Sequence, residues 1–429
     1  MKLMKLYSGL LILAAATFVT ACSQDETVDE RLTNGAIGFA PLLNHNTSSN
    51  TAKTRSAKIV SGETADAFNG FYVWAYTTTG GSGTDNAQYM SHDYSGTNWG
   101  TPILKAATAG SGNGWKQDDT GIYYGYKYET DLRYWPKQEL EFFALGPLNI
   151  SGDDPQGSIT NLTFTTPTTR PTDNKYSFTY TAEADIGSTK ANLDKQTDIL
   201  YATARQTGTV GNSTVNMNFN HALAKVQFKG QVAANQPGMK VLVESVKLCN
   251  LKTTGTCTVT INNATTNTIA WSGQTTDGNY TLTPPSAVEG SATTNTVTLS
   301  ANSTVTSPGT QVDLSDEFLI IPQTTTAWTT NKTTAVSLPA AGGNSYLAVQ
   351  CAIYQVDGVP IVGTYSGSKY TTETVYVPLG GTWEKGHSYV YNLQFGVGYD
   401  AAGKVISEPI TFSVTVSTWG TTTSSDVPL

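Results

Sequence analysis

The chain has 429 residues, 38% of them hydrophobic and only 14% charged, with 40 glycines and a formal net charge of −8. That composition is too apolar for a disordered chain and too poor in Lys, Glu, Ala and Leu for a helical one. The acidic balance and the lack of a Lys/Arg-rich run argue against a nucleic-acid partner, and no apolar segment after Ala21 reaches the roughly 20 residues that span a bilayer.

The N-terminus reads as a signal peptide over residues 1–21: Lys2 and Lys5, an apolar run from Leu6 to Thr20, and a small-residue junction at Thr20-Ala21. Cys22 follows at once. This junction resembles the lipobox of bacterial lipoproteins, which implies acylation of the Cys22 thiol and membrane attachment through that lipid alone. Cys22-Ser23-Gln24-Asp25-Glu26 is similar to the acidic tag that sends Bacteroidetes lipoproteins to the cell surface. Each buried methylene contributes roughly 0.8 kcal/mol, so several acyl chains anchor firmly where one binds reversibly.

Ala36 to Leu43 reads as a short first strand with Ile37, Phe39 and Leu43 on one face, and Pro41 confines it to a sheet edge. Asn44 to Lys58 is a polar linker that carries Lys53, Arg55 and Lys58, so it is expected to be exposed and open to proteases. Phe71–Tyr76 is a strong strand, Thr77 to about Tyr126 reads as extended surface loops, and Leu140–Leu145 and Ile199–Ala202 are further strands. Val215, Met217 and Phe219 then alternate with polar residues. The phase shifts at His221-Ala222-Leu223-Ala224, as at a bulge or a tight crossing. Strands follow at Val241–Leu248, Thr258–Ile261, Val297–Leu299, Phe318–Ile321, Tyr346–Val356 and Val375–Leu379. The clearest alternations are Tyr389, Tyr391, Leu393, Phe395 and then Ile410, Phe412, Val414, Val416. Many short strands between turn signals indicate an all-β chain of sandwiches with Greek-key connections, with a domain boundary near Gly211.

Signals for chemistry are sparse. Cys249 and Cys257 flank Lys252-Thr253-Thr254-Gly255, read as a hairpin turn, so a cross-strand disulfide is open to them, subject to register; Cys351 reads as a core thiol. Asp118-Asp119 and Asp153-Asp154 sit in turn contexts and read as solvated carboxylates. His221 reads as a hydrogen-bonded histidine rather than a ligand. No catalytic residue, metal site or cofactor is expected, because no nucleophile elbow, phosphate loop, HExxH or CxxC occurs. Trp99, Trp115, Tyr123, Tyr124, Tyr126 and Tyr128 offer an alternative function, a carbohydrate-stacking surface on a lipoprotein that does not polymerise.

Several segments in this order resemble the fimbrillins, the two-domain pilins of Bacteroidetes. They are Arg133-Tyr134-Trp135-Pro136 with Leu140–Leu145, Asp198–Ala202, Val215 through Val226, Phe318–Gln323, Trp383–Tyr389 and Ile410–Trp419. The resemblance implies two transthyretin-like β-sandwiches in tandem: a lipidated propeptide over 22–55 with the first edge strand, an N-terminal sandwich over 56–211 and a C-terminal sandwich over 212–429. It also implies a surface protease that cuts after an arginine, removing lipid and first strand together, and head-to-tail polymerisation with copies of itself and other fimbrial subunits. A host or bacterial surface receptor would be the adhesive partner. The matching cut here is Arg55–Ser56, with Lys53 and Arg31 as lesser candidates; cutting at Arg31 would leave the strand in place. Ile410, Phe412, Val414 and Val416 have the alternation a donor strand needs, and equally that of an ordinary core strand. An incoming strand that buries about four such side chains gains on the order of 6–12 kcal/mol of apolar burial, much of it offset by ordering and association.

Overall fold

The computed structural model describes residues 35–43, 68–78, 86–110, 114–117, 121–187, 196–208, 214–262, 267–285, 296–301, 307–330, 336–355, 357–366, 369–396, 411–418 and 425–427. Cys22, Arg31, Lys53, Arg55, Ser56, Asp118, Asp119 and Ile410 lie outside them, as do the side chains of Leu43 and Phe412. The fold is all-β, and the helical content among the described residues is one 3-10 turn at Glu129–Asp131.

One large sheet runs in the order Gly38–Leu43, Thr214–His221, Leu200–Thr207, Glu139–Gly146, Gly70–Thr77, Thr101–Ala106, Tyr123–Tyr126 and Lys116–Gln117. Its central strands are apolar on both faces, and every residue of Gly70–Thr77 is buried. One face packs Trp74 against Phe164 (centroids 4.8 Å apart) and stacks Phe143 on Tyr176 at 4.7 Å, across to the strands Leu162–Phe164 and Lys175–Thr181. The other face is closed by the sheet's own curl, which brings Lys116–Gln117 and Tyr123–Tyr126 round towards Gly38–Leu43. The stretch from Thr77 to Tyr126, read from sequence as surface loops, therefore supplies strands Thr101–Ala106 and Tyr123–Tyr126 to this sheet. Its glycines and short apolar runs hide them from a periodicity test.

The expected boundary near Gly211 falls between Leu200–Thr207 and Thr214–His221, which are hydrogen-bonded neighbours in this one sheet. The chain changes sheets after His221. Odd residues are buried in Thr214–His221 and even ones from Ala224 to Phe228, so the phase shift marks a crossing between layers. Ala224–Val232 pairs in parallel with His387–Phe395, which pairs antiparallel with Thr411–Thr418.

The strand Lys240–Ile261 is the longest among the described residues. At about 3.3 Å per residue its 22 residues reach roughly 70 Å. Its first half pairs with Tyr346–Tyr354 and Val297–Ser300, its last third with Lys175–Thr181, and most of its length with Asn267–Leu282. The hairpin expected at Lys252–Gly255 is thus strand interior, and this excludes the Cys249–Cys257 disulfide. Eight residues along one strand separate the two sulfurs by more than about 20 Å, whereas a disulfide needs Cα atoms within about 7 Å. Cys249 lies opposite Tyr346 and Cys257 opposite Phe178 and Trp271. Cys249, Cys257 and Cys351 are free and buried. Burial pushes the Cys351 thiol up to about 12 and raises those of Cys249 and Cys257. The thiolate is the reactive form and needs access to the reagent, so buried Cys351 is expected to react with a disulfide reagent at pH 8 far more slowly than a free thiol. All three should titrate only in denaturant; release of thiol from the folded protein at the rate of free cysteine would contradict this burial.

Candidate assembly site

The first strand, Gly38–Leu43, lies at the end of the large sheet and pairs in parallel with Thr214–Phe219. Pro41 lacks an N–H and suits this edge position. The strand is tied at its start by the Ile37 amide, which donates to Arg133 O at 2.9 Å, and by the bridge between Ala36 and Tyr134. Ile37 and Phe39 are buried to 0% and 1% exposure. Phe39 enters an aromatic box, edge-on to Phe71 (5.9 Å), Tyr126 (6.2 Å) and Phe142 (5.8 Å). Val215, Met217, Phe219, Leu200 and Trp135 belong to the same core cluster, the second of the molecule. Burial drives the Tyr126 phenol far above its usual value.

The outer face of the strand is also covered. A Cβ placed on Gly38 would overlap the Lys116 side chain and stand 2.8 Å from Gly114 O. Gly114, with φ +63°, is equally confined: a Cβ there would lie 2.8 Å from Ile37 O. The two glycines let the segment 114–117 cross directly over the strand.

At the other end of the chain, Thr411–Thr418 sits in its own sheet. It pairs Leu393 with Phe412, Tyr391 with Val414 and Tyr389 with Val416, and carries Ser425–Val427 on its outer side. Val414 is buried and Val416 partly so, packed on the main core. Within this chain those residues form a core strand.

The six aromatics considered for sugar stacking do not form an open platform. Trp99, Tyr124 and Tyr126 are buried, Trp115, Tyr123 and Tyr128 are partly buried, and Tyr128 stacks on His92. Asp153 and Asp154 are exposed, with Asp154 3.4 Å from Lys127 Nζ. His221 Nδ1 stands 2.8 Å from Asp198 Oδ2 where the chain changes sheets. Burial raises the Asp198 carboxyl, opposed by His221 and Lys225. A shallow depression of about 700 Å³ lies nearby, lined in part by Trp271, Gln274, Gln323, Thr382, Lys385 and His387. Lys385 Nζ there donates to Tyr201 OH at 3.3 Å, and partial burial lowers its ammonium pKa.

Sequence reasoning missed two features of the site. Tyr124 and Tyr126 wall the pocket of the first strand, and Gly114 and Lys116 close over it; their only sequence signal was a tyrosine- and glycine-rich stretch without clear alternation.

A family model described as fimbrillin-like matches residues 54–419. The chain belongs to the fimbrillin-like family. The match starts one residue before Arg55 and leaves the strand Gly38–Leu43 outside it. Among solved structures, this fimbrillin-like chain is similar to a putative cell adhesion protein from Bacteroides ovatus, at 14% identity over 90% of this chain and 98% of that one, with a TM-score of 0.42. It is also similar to the tip fimbrial protein Mfa3 from Porphyromonas gingivalis, at 11% identity over 85% of this chain and 97% of that one, with a TM-score of 0.32. A search of curated proteins finds no match.

Proposed function

We propose that the chain is a structural subunit of a cell-surface fimbrium that supports adhesion. In this reading it is exported as an outer-membrane lipoprotein through Cys22, cut by a surface protease at Arg55–Ser56, and polymerised with copies of itself and other fimbrial subunits. The mature subunit would comprise the two sandwiches implied by the family.

The observation that carries this reading is the arrangement of the first strand. It is an edge strand whose large side chains fill an aromatic pocket, and its only covalent link to the remaining fold passes through the Arg55 stretch. A cut there turns an intramolecular strand into a separate peptide. Its loss would uncover an apolar groove and the unpaired edge of Thr214–His221, which is a template for another chain. The donor proposed is the segment containing Ile410, Phe412, Val414 and Val416 from a second copy. Such a head-to-tail joint does not close on itself and so builds a filament.

Replacing Arg55 with alanine should leave full-length lipidated protein on cells and abolish the heat-labile ladder of multimers that surface material otherwise gives on an unboiled denaturing gel. The N-terminal residue of mature surface protein should be Ser56. Filaments on cells that carry only Arg55→Ala would move the cut elsewhere. A single full-mass band from wild-type cells would overturn the polymer.

A further inference from the structure

Gly38 is glycine for reasons of space. Its φ is not in the left-handed region, yet a Cβ there would collide with the Lys116 stem and with the Gly114 carbonyl. The large side chains on either side, Ile37 and Phe39, are both buried in the second core cluster. The strand is therefore held on three sides: by the Thr214–Phe219 backbone, by the aromatic pocket, and by the segment 114–117.

From this we infer that Gly114–Gln117 is a clasp that reads the groove's occupant for a residue without a side chain between two large apolar ones. The groove is thereby selective for the chain's own first strand. This rests on the strand-exchange reading above and adds a constraint to it. Between Ile410, Phe412, Val414 and Val416 stand Thr411, Ser413 and Thr415. Any register that places two neighbouring apolar residues of that segment in the pockets of Ile37 and Phe39 puts one of these three under Lys116. A donor strand of this sequence enters only with the clasp displaced. Cutting at Arg55 removes the tether, but the clasp still sets how fast the old strand leaves and what replaces it.

The test uses the full chain with a specific protease site in place of Arg55–Ser56, cut in place, with release of the N-terminal fragment followed by size and mass. Gly38→Ala should speed release at least tenfold, and in a Lys116→Gly background, where only the Gly114 carbonyl contact remains, the same change should matter less. The sign is diagnostic, because alanine for glycine inside a strand ordinarily stabilises it. Hydrogen exchange on the uncut chain gives a second readout that does not need the cut. Gly38→Ala should loosen the amides of Gly38–Leu43 and leave those of Tyr346–Tyr354 unchanged.

Equal release rates for the wild type and the Gly38→Ala variant, or the same factor in both Lys116 backgrounds, would overturn the clasp alone. A synthetic peptide of residues 410–418 added to the cut chain separates the two ideas. If it replaces the fragment, strand exchange stands whatever the clasp does. If it never occupies the groove even in the Lys116→Gly chain at large excess, the exchange reading falls and the selectivity for donor strands falls with it.

Discussion

Replacing Phe39 with alanine is expected to weaken the hold of the first strand by about 3–5 kcal/mol, the usual cost of emptying a buried aromatic site. Phe39 is 1% exposed and stands edge-on to Phe71, Tyr126 and Phe142, so its removal leaves a cavity among rigid rings that cannot easily collapse. The loss is local. The Trp74, Phe164 and Tyr176 side of the large sheet belongs to the other core cluster and keeps its packing. Hydrogen exchange on the full chain should show faster exchange across Gly38–Leu43, with little change in the strands around Trp74. In the strand-exchange reading proposed above, uncut Phe39→Ala protein should also form multimers without the cut at Arg55. Phe39→Leu keeps most of the volume and should cost less than about 1.5 kcal/mol. Unchanged exchange in Phe39→Ala would mean that the aromatic box does not anchor the strand.

Replacing Glu141 with glutamine is expected to destabilise the whole protein by about 3–5 kcal/mol, because it strands two cations in a nearly dry interface. Glu141 is fully buried in the central strand Glu139–Gly146. Arg205 Nε donates to its Oε2 at 2.6 Å, Arg170 Nε stands 3.1 Å from Oε1, and the Tyr176 hydroxyl donates to Oε1 at 2.8 Å. The carboxylate therefore ties the large sheet to the layer that contains Lys175–Thr181. The amide keeps an acceptor for Tyr176 but no charge for Arg170 and Arg205. The urea midpoint should fall at unchanged slope, and Arg205→Met added to Glu141→Gln should recover part of the loss. A midpoint within error of wild type would show that water reaches the arginines and that the carboxylate is not needed.

Much of the strand content was legible because alternation is a local property. Val215, Met217 and Phe219, the Tyr389–Phe395 series and Phe71–Tyr76 all lie in strands. Pro41 pointed correctly to an edge, since a missing N–H is a property of the residue itself. The cysteines show the limit. Lys252-Thr253-Thr254-Gly255 is a plausible turn by composition, yet the segment is held straight by pairing with Lys175–Thr181 and Asn267–Leu282, partners outside any local window. Trp99, Tyr124 and Tyr126 misled for the same reason. An aromatic in a glycine-rich stretch can face water or a core: the curl of the large sheet puts Tyr124 and Tyr126 inside, and Trp99 packs on the opposite face against Tyr72, Trp74 and Phe164.

The sequence by itself determined the all-β class, the edge character of the first strand and its buried pair Ile37 and Phe39, because these depend on residue type and on a period of two. The tertiary structure alone decided what that strand meets. Its partner Thr214–Phe219 lies about 175 residues away, its pocket is drawn from strands across the large sheet, and its outer cover comes from Gly114 and Lys116. Pairing and register over such distances follow from which combination of surfaces buries the most apolar area without leaving backbone groups unpaired. That is a property of the whole chain and is written in no single segment.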